Sequence, residues 1–119
     1  MKDYNIVLEH ILESIGWIES HCKKQTKERF SKSVKTQDSV IRRLAIIGEA
    51  TRGIPFSIKK KYPGIRWEEI IGMRNILIHE YFNVSVPMIW MIVKKDIPIF
   101  KNQIKEILSK HNSCSSKKS

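Results

Sequence analysis

The sequence predicts an all-α bundle of four to five helices, and three observations predict it. Apolar residues recur in steps of three and four along nearly all of the 119 residues, the period of a helix with one buried face. No segment sustains the period-two alternation of a strand. Gly53 with Pro55, and the pair Pro63-Gly64, punctuate the chain between periodic segments, as turns do. No self-similarity appears at the period of a solenoid.

The first helix is read from Tyr4, Val7, Leu8, Ile11, Ile15, Ile18 and Cys22, which share one face, with Glu9, Glu13, Glu19 and Lys23 on the other. Cys22 ends that stripe as a small hydrophobe. Residues 25–35 are polar around a single aromatic, Phe30, and suit a connection with a short helical turn that pins Phe30 into the core. A second helix starts at Thr36 as N-cap, with Asp38 in its first turn. It runs through Val40, Ile41, Leu44, Ile46 and Ile47 and stops near Gly53. Ser57–Tyr62 suits one short turn with a basic face. A third helix spans Trp67–Tyr81, with Glu68 and Glu69 at its positive end. A fourth begins with Pro87 in its first turn, where the missing N–H costs little. Pro98 kinks or divides it, and Ile97, Phe100, Ile104, Ile107 and Leu108 carry the stripe onward.

This length suits one domain, read as residues 1–110, followed by a flexible Ser- and Lys-rich polar tail over 111–119. With 41% hydrophobic and 29% charged residues, the composition is that of a globular domain rather than a disordered chain. A core of this size gains from an oligomeric partner. No apolar run approaches the ~20 residues of a membrane span, and no secretory stretch follows Met1, so the expected location is the cytoplasm and no membrane is expected as a partner. Cys22 and Cys114 have neither zinc spacing nor a disulfide framework, so no metal and no cofactor is expected. The 22 Lys and Arg against 12 Asp and Glu leave a net charge of +10, which suits a nucleic acid or an acidic protein. Arg42, Arg43, Arg52, Lys59, Lys60 and Lys61 are the candidates for steering such a partner; a solvated basic face explains them equally well. Trp67 and Trp90 are read as core in preference to base-stacking residues.

Chemistry concentrates in the third helix. Residues 70–78 read Ile-Ile-Gly-Met-Arg-Asn-Ile-Leu-Ile, apolar most of the way round, as in a helix central to a bundle or at a subunit interface. Arg74, Asn75 and His79 are embedded there, and buried polar groups need partners. Asn75 and His79 share a face, whereas Arg74 and His79 are five apart, about 140° round the helix. They need not converge within one chain and could instead converge across a two-fold axis. An Arg fork and a titrating His suit a phosphodiester. In RNA the 2′-hydroxyl is an attached nucleophile, and deprotonating it gives a 2′,3′-cyclic phosphate and a 5′-hydroxyl end. From spacing alone a structural alternative stays open: Arg74 paired with Glu49 inside the bundle, His79 a satisfied core histidine, Tyr81 a helix-end anchor.

Wider landmarks occur in order: Ile46-Ile47-Gly48-Glu49-Ala50, Tyr62-Pro63-Gly64-Ile65-Arg66-Trp67, Gly72 to Tyr81, Pro87 to Trp90, and Ile97-Pro98. From about Tyr4 to Leu108 the chain resembles the HepT-like branch of the HEPN superfamily. The resemblance implies a HEPN-type helical bundle forming a two-fold homodimer with a composite site at its interface. It also implies a ribonuclease toxin paired with a minimal nucleotidyltransferase antitoxin. The family's Arg-x4-His motif maps onto Arg74 and His79 as catalytic residues, with Asn75 following the Arg. Glu49, in the Gly-Glu-Ala landmark, is assigned a supporting role as the partner orienting Arg74 or His79. Tyr81, two residues after the His, is the position that the antitoxin adenylylates in some members. Modification there sets phosphate charge beside Arg74. Within the same superfamily stands the competing reading, a non-catalytic interaction subunit that binds a nucleotidyltransferase or a nucleotide.

Overall fold

The structure, a computed structural model, describes residues 4–80 and 84–118, with side chains described as far as Lys110. Every regular element among the described residues is helical. None of these helices is long and apolar enough to cross a membrane.

Helix α1 (Tyr4–Cys22) buries Leu8, Ile11, Ile15, Ile18 and Cys22 along the expected stripe. Burial also pushes the Cys22 thiol pKa up, since the thiolate loses its water. The Phe30 connection contains a true helix, α2 (Lys27–Lys32), capped by Thr26, whose hydroxyl accepts from the Arg29 N–H at 3.1 Å. Phe30 is fully buried with its ring 5.1 Å from that of Trp90.

Helix α3 (Val34–Arg52) begins earlier than the sequence suggests. Its N-cap is Ser33, whose hydroxyl accepts from the Thr36 N–H at 3.2 Å, so Thr36 lies inside the first turn. Ser33 serves two helices at once, because its own N–H also closes α2 on the Phe30 carbonyl. The Gln37 amide donates to that same carbonyl at 2.8 Å. One shared cap therefore replaces the longer polar connection.

Helices α4 (Phe56–Lys61) and α5 (Trp67–His79) follow. The buried Trp67 indole N–H is shared between the carbonyls of Tyr62, at 3.0 Å, and Lys59, at 3.2 Å, and its ring meets Phe100 edge-on. That confirms Trp67 as core and ties the α4 turn to the start of α5. Helix α6 (Val86–Met91) is capped by Ser85 with Pro87 in its first turn.

No loop divides the chain at Pro98. A five-residue π-helical stretch, Ile92–Asp96, joins α6 to α7 (Ile97–Lys118), with helical dihedrals at Met91, Ile92 and Ile97. The Ile97 N–H reaches back to the Ile92 carbonyl. Pro98 brings no N–H and crowds the carbonyl four residues earlier, and a widened turn just before it absorbs both defects.

The central helix is α3, with α1 packed along one side and α5 along another, and α7 packed on α1. Helix α5 is therefore peripheral, although its sequence is apolar nearly all round. Only Trp67 and Leu77 of α5 are buried, while Ile76 and Ile78 are 40% and 47% exposed. Of the two expectations for this helix, a central position is corrected.

Candidate active site

The site starts from a glycine. At Gly48 a Cβ would lie 2.8 Å from the Arg74 Cβ, 3.0 Å from the Ile70 carbonyl oxygen and 3.3 Å from the Arg74 nitrogen. No real Cβ tolerates the first of these, so α5 sits against the α3 backbone because residue 48 has no side chain. This close approach sets the root of Arg74 beside Glu49, the next residue of α3.

Arg74 Nε lies 3.2 Å from Glu49 Oε1 in an ion pair, and its Nη1 donates to Asn75 Oδ1 at 3.2 Å. The guanidinium is thereby held on two sides, with Nη2 and the second Nη1 proton directed elsewhere. Neither partner of the ion pair is buried: the side chains are 31% exposed for Arg74 and 56% for Glu49. Such a pair contributes only about 0–1 kcal/mol to stability. Its value lies in orientation.

Arg74 lines an open groove of about 550 Å³ between α3 and α5, walled by Asp38, Arg42 and Glu49 and floored by Ile41, Ala45, Ile46 and Ile78. Asn75 and His79 are exposed and do not line it. The helical spacing puts them with Gly72 and Ile76 on the outward arc of α5. A Cβ at Gly72 would meet nothing within 4 Å, so that arc is open within the single chain. The satisfied core network left open by spacing is thus half present: the Arg74–Glu49 pair exists, but at the surface, and His79 is not a core histidine.

The other candidates scatter. Arg42 lines the groove, while Arg43 turns the other way, its Cζ 5.4 Å from the Trp17 ring centroid. Arg52 is exposed at the end of α3, and Lys59, Lys60 and Lys61 occupy the last turn of α4. Trp90 is half-buried, with the Lys94 Nζ 4.8 Å from its ring centroid. Tyr81 lies outside the described residues. Gly48 is the functional position that sequence reasoning passed over. A glycine inside an apolar helix, directly before a carboxylate, was the available signal. Among the described residues no group of three or more His, Cys, Asp or Glu is placed to hold a metal ion.

Comparison with known proteins gives the family of the chain. The family model described as ribonuclease HepT-like matches residues 11–107. A gamma-glutamylcyclotransferase and putative RNase of Methanocaldococcus jannaschii is 48% identical over 107 residues; the match takes in 90% of this chain but 48% of that longer protein. A putative RNase of Caldanaerobacter subterraneus subsp. tengcongensis is 40% identical over 92% of this chain and 98% of its own length. A probable ribonuclease HepT of Thermococcus cleftensis is 44% identical over 89% and 94%. No solved structure gives a significant match. With the family model covering most of the chain and two relatives matched almost end to end, this protein belongs to the ribonuclease HepT-like family.

Proposed function

We propose that this protein is a metal-independent endoribonuclease, acting as a homodimer in the cytoplasm and serving as the toxin of a toxin–antitoxin pair. The observation that carries the reading is the held guanidinium of Arg74. Glu49 and Asn75 fix its orientation at the mouth of an open groove, and its unused donors suit two oxygens of one phosphate. Family membership supplies the reaction class.

The outward arc of α5 carries Asn75 and His79 beside the half-exposed Ile76. Packing that arc against a second copy buries the apolar residues and brings one protomer's His79 toward its partner's Arg74. His79 then takes the proton from a ribose 2′-hydroxyl or returns one to the leaving 5′-oxygen, a contribution of about 10²–10⁴-fold. Arg74 stabilises the charge developing on the phosphate. The 2′-oxygen–phosphorus bond forms as the 5′-oxygen–phosphorus bond breaks, leaving a 2′,3′-cyclic phosphate and a 5′-hydroxyl end. A minimal nucleotidyltransferase antitoxin neutralises the site by adenylylating Tyr81, just beyond α5.

The test is growth after induced expression of wild type, Arg74→Ala and His79→Ala, with total RNA read for new 5′-hydroxyl ends. Arrest and new ends with wild type alone support the reading. Cleavage by the purified protein survives chelators; a requirement for a divalent metal contradicts the mechanism. A folded wild type that cleaves nothing but binds a nucleotidyltransferase tightly is instead the non-catalytic interaction subunit.

A further inference from the structure

A second aromatic and cationic cluster lies outside the groove. Trp17 is 46% exposed on the outer face of α1. The His21 ring stacks beside it, with centroids 6.2 Å apart and planes 29° from parallel. From α3, the Arg43 guanidinium lies 5.4 Å from the indole centroid. A large apolar ring is thus held between two neighbours while nearly half of it stays open to water. Burying it against the core would be the ordinary fate of a tryptophan.

The surroundings are asymmetric in charge. At about 100° per residue, the outer arc of α3 from the groove round to Trp17 carries Lys35, Ser39, Arg42, Ile46, Arg43 and Ala50, and no carboxylate. Arg42 stands at the groove end of this arc and Arg43 at the Trp17 end. The exposed face of α1 holds Ile6, His10, Trp17 and His21 together with Glu9, Glu13 and Glu19, so the positive charge near Trp17 comes from α3. Lys35, Arg42 and Arg43 of α3 thus lie between the Arg74 groove, which Asp38 and Glu49 also line, and the half-exposed indole.

We propose that Trp17, His21 and Arg43 form a binding site for an unpaired base of the RNA substrate, a few nucleotides from the phosphate held at Arg74. Every base offers a π-face to the open side of the indole, and Arg43 meets the adjoining phosphate. Single-stranded nucleic acids are held in this way by aromatic platforms beside cationic tracks. The site favours flexible single strands over duplex, whose bases are already stacked. It deepens the ribonuclease reading and rests on it.

The test is fluorescence anisotropy of a labelled single-stranded oligouridine with the intact His79→Ala protein, which binds without cutting. Trp17→Ala in that background weakens binding about tenfold or more, and Trp17→Phe recovers most of it. Arg43→Ala weakens binding less and lowers the slope of log affinity against log salt by about one. In the cleaving protein, Trp17→Ala raises KM for long RNA and leaves kcat unchanged. Equal affinity of His79→Ala with and without Trp17→Ala overturns the platform while the ribonuclease reading stands. Cleavage with no measurable affinity difference does the same. No RNA binding and no cleavage by the wild type overturns both. If Trp17→Ala changes only the oligomeric state in sedimentation, the strip is a protein contact and the proposal falls.

Discussion

Along the α1–α3 seam, Leu8, Ile11, Ile15 and Ile18 on one side and Val40, Leu44 and Ile47 on the other are all fully buried. Along the α3–α5 seam the helices approach closely at the bare backbone of Gly48, with Leu77 buried, and beside that approach lies a half-exposed ion pair. Both seams use the same central helix. The first is closed by side-chain volume, as in a close-packed interior. The second depends on the absence of a side chain at residue 48, and leaves polar groups and isoleucines open on α5. Stability is concentrated in one seam and the candidate chemistry in the other, so substitutions in the two should fail differently.

The largest stability effect is expected from Leu44→Ala. It opens a cavity in a fully buried position and costs about 2–5 kcal/mol, read as a lower denaturation midpoint in urea. Gly48→Ala comes next. Its methyl group must displace Arg74 and the Ile70 carbonyl, at about 1–3 kcal/mol. Unlike Leu44→Ala, it should reduce cleavage even in the fraction that remains folded, because it moves the root of Arg74. Equal specific activity of folded Gly48→Ala and wild type would show that the close approach does not position the site.

Glu49→Gln sharpens the contrast further. It removes the carboxylate that holds the Arg74 Nε, yet the pair is too exposed to contribute more than about 1 kcal/mol. Cleavage should fall through kcat while the urea midpoint barely moves, and Glu49→Asp should restore part of the rate. The smallest effect concerns Cys22. Burial raises its thiol pKa, so the thiolate is scarce at neutral pH and accumulates only as pH rises through the raised value. Native protein should react with iodoacetamide at Cys22 much more slowly than urea-unfolded protein. Equal rates would show that the α1 end opens freely.

Much of this division is legible in the residues. The α1 stripe, the short helical piece around Phe30, the core position of Trp67 and the place of α4, though not its limits, follow from spacing and punctuation. The sequence offers Glu49 as a partner of Arg74 or His79, and the structure pairs it with Arg74. What periodicity does not reveal is which apolar helix is central. Helix α5 is more apolar than α3 over residues 70–78, yet α3 takes the centre. A helix with one clean buried face and a glycine can be packed from two sides, while α5 keeps apolar residues outward. The α3 start was misplaced for a local reason: Ser33 and Thr36 are both good caps, and only the shared use of Ser33 by α2 decides between them. The π-helical answer to Pro98 is likewise a matter of backbone accommodation that composition does not encode. Trp17 escaped notice as a base-stacking candidate because its role depends on Arg43, distant in sequence and beside it only after α1 and α3 pack.

Under the proposed function, Arg74, Asn75 and His79 on α5 serve chemistry rather than stability. One paired measurement tests it most directly: urea unfolding and RNA cleavage on the same preparations of wild type, Arg74→Ala and His79→Ala. The account predicts unfolding free energies within about 1 kcal/mol of wild type, as for substitutions at exposed and half-exposed positions, together with loss of cleavage by about a hundredfold or more. Unfolding free energies lowered by several kcal/mol with cleavage intact would contradict it, and would make this group a structural network instead.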